Sequence, residues 1–154
     1  PLSVVITKKS IAEVFNNGME YFNSFGGNPV SCEIGQAVLD IIKEEKLQEN
    51  ASIIGDHLLD GLKKIQNKYD IIGDVRGRGL FIGIELIKDS DNMVPAADEA
   101  DFVVNAMKKK GILISSDGPD HNVLKIKPPL IFNKENANYF LESFESIISK
   151  IFYK

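Results

Sequence analysis

An α+β fold, with helices layered on one face of a small sheet, is predicted by three features of this 154-residue sequence. Apolar residues recur at three- and four-residue steps in several separate stretches, which is the signature of amphipathic helices. Short runs rich in Val, Ile and Leu lie among them, bounded by Gly, Pro and Asp. The order is strand, helices, strand, helix, strand, strand, helix, and the hairpin-scale spacing of the short strands favours a layer of helices on a sheet.

Each element has its own signal. Leu2 to Ile6 reads as strand-like. Val30, Ile34, Ala37, Val38, Ile41 and Ile42 give one apolar face and predict a helix ending near Lys46. Ile54, Leu58, Leu62 and Ile65 predict a second helix, whose regularity Gly55 and Gly61 count against. Gly73-Asp74 and the glycines Gly77 and Gly79 read as a turn leading into a mostly buried strand, Leu80 to Ile87, closed by Asp89 to Asn92. Phe102, Val103, Ala106 and Met107 mark a third helix stopped by Gly111 before a short strand, Ile112 to Ile114. Another strand is predicted over Val123 to Ile126. After the break at Pro128-Pro129, Phe140, Leu141, Phe144, Ile147, Ile148, Ile151 and Phe152 form the stripe of a closing helix.

Composition narrows the function. With 44% hydrophobic and 26% charged residues the chain is long and apolar enough to bury a core. A net charge of -4, with no extended grouping of Lys and Arg standing out, argues against nucleic acid or an acidic membrane as partner, because those ligands are held by grouped cations. No run approaches the ~20 apolar residues of a membrane helix. The one cysteine, Cys32, cannot make an internal disulfide and reads as a buried small hydrophobe. An opening on Pro1 and a strand-like run reads as a piece of a longer protein.

Few residues carry chemistry on their own spacing. In Asn23-Ser24-Phe25-Gly26-Gly27-Asn28-Pro29, Asn28 suits a helix N-cap and Pro29 a first helical residue. The glycines let backbone approach a ligand, the helix start presents N–H groups, and Ser24 adds a hydroxyl, a set that suits phosphate or carboxylate as well as a plain chain reversal. Arg76 and Arg78 sit among glycines and read as an anion clamp or a solvated turn. Lys125 and Lys127, two apart on a strand, point to one face. Ser115, Ser116, Asp117, Asp120 and His121 form a polar cluster with no assignable nucleophile and base, and His57, His121 and Cys32 lack metal-ligand spacing.

Three segments together resemble the class III family of pyridoxal-phosphate-dependent aminotransferases. These are Tyr21 to Cys32 with Ala37-Val38-Leu39, then Asp74 to Leu86 with its Arg-Gly-x-Gly-Leu run, then Leu124-Lys125-Ile126-Lys127-Pro128-Pro129-Leu130. They cover nearly the whole chain in the family's order. Ser116-Asp117-Gly118-Pro119 with Asn122 to Pro129 is closer still to the alanine-glyoxylate aminotransferase 2-like branch, whose members include phospho-lyases of phosphoethanolamine and phosphohydroxylysine.

The resemblance implies the C-terminal small domain of a fold-type I transferase, with residues 1–28 the tail of the large cofactor domain, 29–68 an interdomain helix region and 69–154 the small domain. It implies pyridoxal 5'-phosphate as cofactor, a small amine or amino acid as substrate, a homodimer, and mitochondrial residence or otherwise the cytoplasm. Ser24, with Phe25 and Gly26 beside it, stands where the family has a threonine reaching the cofactor phosphate of the neighbouring subunit. Lys125 stands where many members place an arginine near the substrate carboxylate, and a lysine lacks that bidentate fork, which fits a phosphate-bearing substrate. The Schiff-base lysine falls upstream of Pro1, so no residue here is catalytic and residues 1–154 alone are expected to be inert. An alanine-glyoxylate transaminase remains the alternative within the family, and a non-catalytic anion-binding or dimerisation module the alternative outside it.

Overall fold

The computed structural model describes residues 2–152 without the side chain of Phe152, so that residue's place in the closing stripe lies outside the description. The chain divides into two compact units, residues 1–45 and residues 46–154.

The first unit holds two helices, α1 (Lys9–Phe15) and α2 (Pro29–Glu44). Asn28 caps α2, its side-chain oxygen accepting the Ser31 amide at 3.1 Å, and Pro29 occupies the first turn, where its missing N–H costs nothing. Leu2 to Ile6 does not form the expected strand, because no neighbouring strand supplies a ladder. Helix α1 had no strong periodic signal; at seven residues it is too short to show one, and an exposed Lys9–Glu13 pair at 3.7 Å spans it. No described residue in this unit is buried. Cys32, expected inside, is therefore exposed, since the helix that carries it packs nothing over that position.

The second unit runs α3 (Leu47–Gln66), β1 (Ile72–Arg78), β2 (Phe81–Asp89), β3 (Val94–Pro95), α4 (Ala97–Lys109), β4 (Ser115–Asp117), β5 (Val123–Ile126) and α5 (Lys134–Phe152). The strands make an antiparallel sheet in the order β1-β2-β5-β4, with β3 paired to the far end of β2. This is the α+β arrangement expected. Val75, Ile82, Ile84, Leu86, Leu124 and Ile126 turn one face of the sheet into a core closed by Leu58 and Leu62 of α3, Val103 and Met107 of α4, and Phe144 and Ile148 of α5. Fully burying each such aliphatic or aromatic side chain contributes about 1.5–3 kcal/mol.

Two boundaries differ from expectation for local reasons, and one expected helix is more regular than its glycines suggest. Residues 72–78, read as a turn because of their glycines and charges, form β1: β2 supplies a full partner ladder, and only Ile72 and Val75 need to point inward. The short strand after α4 begins at Ser115 and not at Ile112, because the Ile112 amide is spent on the Met107 carbonyl at 3.0 Å, finishing the helix. Helix α3 passes through Gly55 unbroken. A Cβ there would collide with the carbonyl of Gly79, whose φ of +55° turns the β1–β2 hairpin, so the glycine serves a close approach of backbones.

Candidate functional site

The helix-free face of the sheet carries a row of cross-strand neighbours, Arg76 on β1, Gly83 on β2, Lys125 on β5 and Ser115 on β4. With no side chain at Gly83, the row has a low floor between two cations. Here lies an open pocket of about 530 Å³, lined by Arg76, Arg78, Phe81, Gly83, Asp117 and Lys125 among others. Three of these side chains are cationic and one is anionic.

The cations differ in how they are occupied. Arg76 donates at 2.7 Å to both Asp74 and Glu85, and these bonds, Asp74 first, hold its guanidinium more firmly protonated than usual. Arg78 forms no ion pair among the described residues. Lys127 lies with its ammonium 5.8 Å from the centre of the Phe81 ring, a cation–π arrangement on the same face. The Lys125 ammonium bonds the carboxylate of Asp117, which also accepts the Gly118 amide at 2.9 Å. That pairing, with the Lys125 bond the largest influence, lowers the Asp117 carboxyl below its ordinary value of 3.8.

Lys125 owes its place to a residue whose role the sequence did not reveal. Asn122 is buried, its side chain donating to the Leu86 carbonyl at 2.8 Å while the Leu86 amide donates to the Asn122 carbonyl at 2.9 Å. This double clasp fixes the start of β5 against β2, three residues before Lys125. A buried asparagine beside a turn can be named only once its partner strand is known. The polar cluster expected at residues 115–121 contributes Asp117 alone to the pocket lining.

The turn before α2 stands in the other unit. Asn23 organises it, its side-chain oxygen accepting the amides of Phe25 and Gly26, each at 3.0 Å, and Gly27 turns the chain with φ of +69°. Two amides of the turn are thus satisfied internally, and of the helix-start amides that the sequence offered to a ligand, that of Ser31 is taken by Asn28. Ser24 is exposed and its hydroxyl has no hydrogen-bond partner among the described residues; Phe25 is 84% exposed, and nothing lies within 4 Å of where a Cβ on Gly27 would sit. The turn therefore presents a free hydroxyl on an open surface, and the sheet presents an ammonium beside two guanidiniums. Both suit anions.

Known proteins resemble this chain in sequence and in fold. The profile of the family described as "Aminotransferase class-III" matches residues 1–148. An "Alanine--glyoxylate aminotransferase 2-like" protein of Drosophila melanogaster is 46% identical over 98% of the chain, which spans 31% of that relative. An Arabidopsis thaliana relative, "Alanine--glyoxylate aminotransferase 2 homolog 2, mitochondrial", is 44% identical over 98% of the chain and 31% of its own length. Among solved structures, a phospholyase from Arthrobacter in complex with phosphoethanolamine superposes with a TM-score of 0.86 at 36% identity, covering 93% of this chain and 34% of that one. The chain thus spans about a third of the length of the relatives it matches. Class III aminotransferases depend on pyridoxal phosphate. With the profile spanning nearly the whole sequence and the fold matching in turn, this chain belongs to the class III aminotransferase family.

Proposed function

We propose that the full-length protein is a pyridoxal-phosphate-dependent enzyme acting on a small amine that carries an anionic group, and that phosphate loss from phosphoethanolamine or phosphohydroxylysine is its reaction. The observation that carries this reading is Lys125 in the cationic pocket of the sheet. A single ammonium is a point charge that suits a phosphate as well as a carboxylate, whereas a planar carboxylate is best matched by a guanidinium fork. Similarity to a phospholyase with phosphoethanolamine supports the same choice. Transamination of alanine with glyoxylate is the second reading, favoured by the names of two relatives.

The residues present fit the cofactor's anionic end. Ser24 has a free hydroxyl on an exposed turn where Gly27 leaves open space, and it would hold the phosphate with Phe25 and Gly26 beside it. When bound, pyridoxal phosphate supplies an electron sink for the charge left when a proton leaves the carbon next to the substrate nitrogen. Lys125 would hold the substrate's anionic end, while Asn122 keeps its strand in register. We propose further that residues 1–28 complete the large cofactor domain, that 29–68 bridge the domains and 69–154 form the small one. Two subunits would pair so that Ser24 of each serves the other's cofactor, and the enzyme would reside in mitochondria, as one relative's name suggests for that relative.

The test is the absorption spectrum of the full-length protein purified with pyridoxal phosphate, then borohydride reduction and mapping of the tagged lysine. A visible band, a tag upstream of residue 1 and phosphate release from phosphoethanolamine are expected. Pyruvate formation from alanine without phosphate release would establish the second reading. No band, or a tag elsewhere, would leave a non-catalytic anion-binding or dimerisation module.

A further inference from the structure

We infer that Asp117 is an intramolecular competitor for the substrate's anionic group: its carboxylate occupies the Lys125 ammonium at rest and must yield it when substrate binds. The inference rests on the reading of Lys125 given above and adds a second, specificity-determining residue to it.

The geometry of the pocket carries it. The Asp117 carboxylate is bonded as a bound anion would be, taking one ammonium, from Lys125, and one backbone N–H, from Gly118. The two partners are anchored unequally. Lys125 lies on an interior strand flanked by β2 and β4 and follows the Asn122 clasp. Asp117 ends a three-residue edge strand and runs directly into Gly118, which has φ of +85°. Its side chain is more exposed than that of Lys125, 56% against 30%. The carboxylate can therefore leave for water while the ammonium stays in place.

Of the other cations near the pocket, Arg78 forms no ion pair among the described residues and is open to an anion without competition, whereas Lys125 must be contested with Asp117. Arg76 is already shared by Asp74 and Glu85, and Lys127 faces the Phe81 ring. The ammonium has three N–H donors, but an incoming phosphate or carboxylate meets the negative charge of Asp117 beside it and gains the undivided charge of Lys125 only by displacing that carboxylate, so an anionic ligand binds more weakly than the open site would allow. Asp117 thus sets a threshold for binding without touching the reacting carbon.

The test is a spectral titration of the cofactor-loaded full-length protein, at fixed ionic strength, with phosphoethanolamine in one arm and L-alanine in another. Asp117→Asn keeps the shape and the Gly118 contact but removes the charge; it is expected to tighten binding in whichever arm contains the true ligand by about two- to fivefold, the range of exposed ion pairs. Lys125→Met is expected to weaken the same arm. Weaker binding in Asp117→Asn would mean that Asp117 positions Lys125, and unchanged binding that the two do not compete; either overturns the inference. If Lys125→Met leaves both arms unchanged, the reading of Lys125 itself fails, an outcome separate from failure of Asp117 alone. The double variant keeps the test sound if one single variant folds poorly: competition requires that Asp117→Asn give no gain once Lys125 is gone, and a persisting gain would overturn it.

Discussion

Helices α2 and α3 carry equally regular apolar stripes and end in opposite states. In α3, Ile54, Leu58, Leu62 and Ile65 are buried against the sheet and α5. In α2, Val30, Ile34 and Val38 face solvent, Val30 at 68%, and no residue of the helix is buried. The sequence of a helix states that one face needs a partner; it does not state where that partner is. Residues 46–152 find theirs within the unit. Residues 2–45 expose Phe22, Phe25, Ile34 and Leu39 together with others, far more apolar surface than a self-sufficient unit of that size presents.

Truncations should break or confirm the contrast. Phe144→Ala in residues 1–154 is expected to cost about 3–5 kcal/mol in urea unfolding, since the ring is fully buried. Ile34→Ala in the same chain is expected to change stability by less than about 0.5 kcal/mol. In the full-length protein the Ile34 change sharpens the comparison, with a cost of about 2–5 kcal/mol expected if the stripe is covered there. Equal costs for Ile34→Ala in both forms would end the argument that α2 is built for a partner beyond the unit.

Smaller effects follow at single contacts. Gly55→Ala should destabilise the second unit by about 1–3 kcal/mol, because the new methyl group meets the Gly79 backbone. Asn28→Ala should cost about 1 kcal/mol through loss of the α2 cap, read as reduced helicity by circular dichroism. The smallest effect is with pH. The Asp117 carboxyl is lowered in the folded chain, so its contribution is present above its ordinary value of 3.8 and is lost as pH falls below that through the folded value. Asp117→Asn should flatten the acid limb of the stability curve slightly, and an unchanged limb would show that the pair adds nothing to folding.

Much of the fold was legible in the sequence, and the gaps have physical causes. Helices with long stripes and the strand Val123 to Ile126 announce themselves through periodicity. Strand β1 does not, because its glycines and charges match a turn and only its pairing with β2 makes it a strand. The candidate site was half legible. Lys125 and the glycine turn at residues 24–27 stand out as local patterns, whereas the partnership of Lys125 with Asp117 depends on a register between two strands, and the clasp of Asn122 on Leu86 joins residues 36 apart.

The contact of Gly55 with Gly79 also has a mechanical consequence. Where side chains separate two elements, rotamer changes can absorb a displacement; here backbone rests on backbone, and close-packed interiors transmit strain. Helix α3 and the β1–β2 hairpin must therefore shift together. A push on α3 is delivered to the end of the hairpin, where Arg78 and Phe81 form one wall of the pocket, so the width of the pocket on one face of the sheet is geared to the position of a helix on the other.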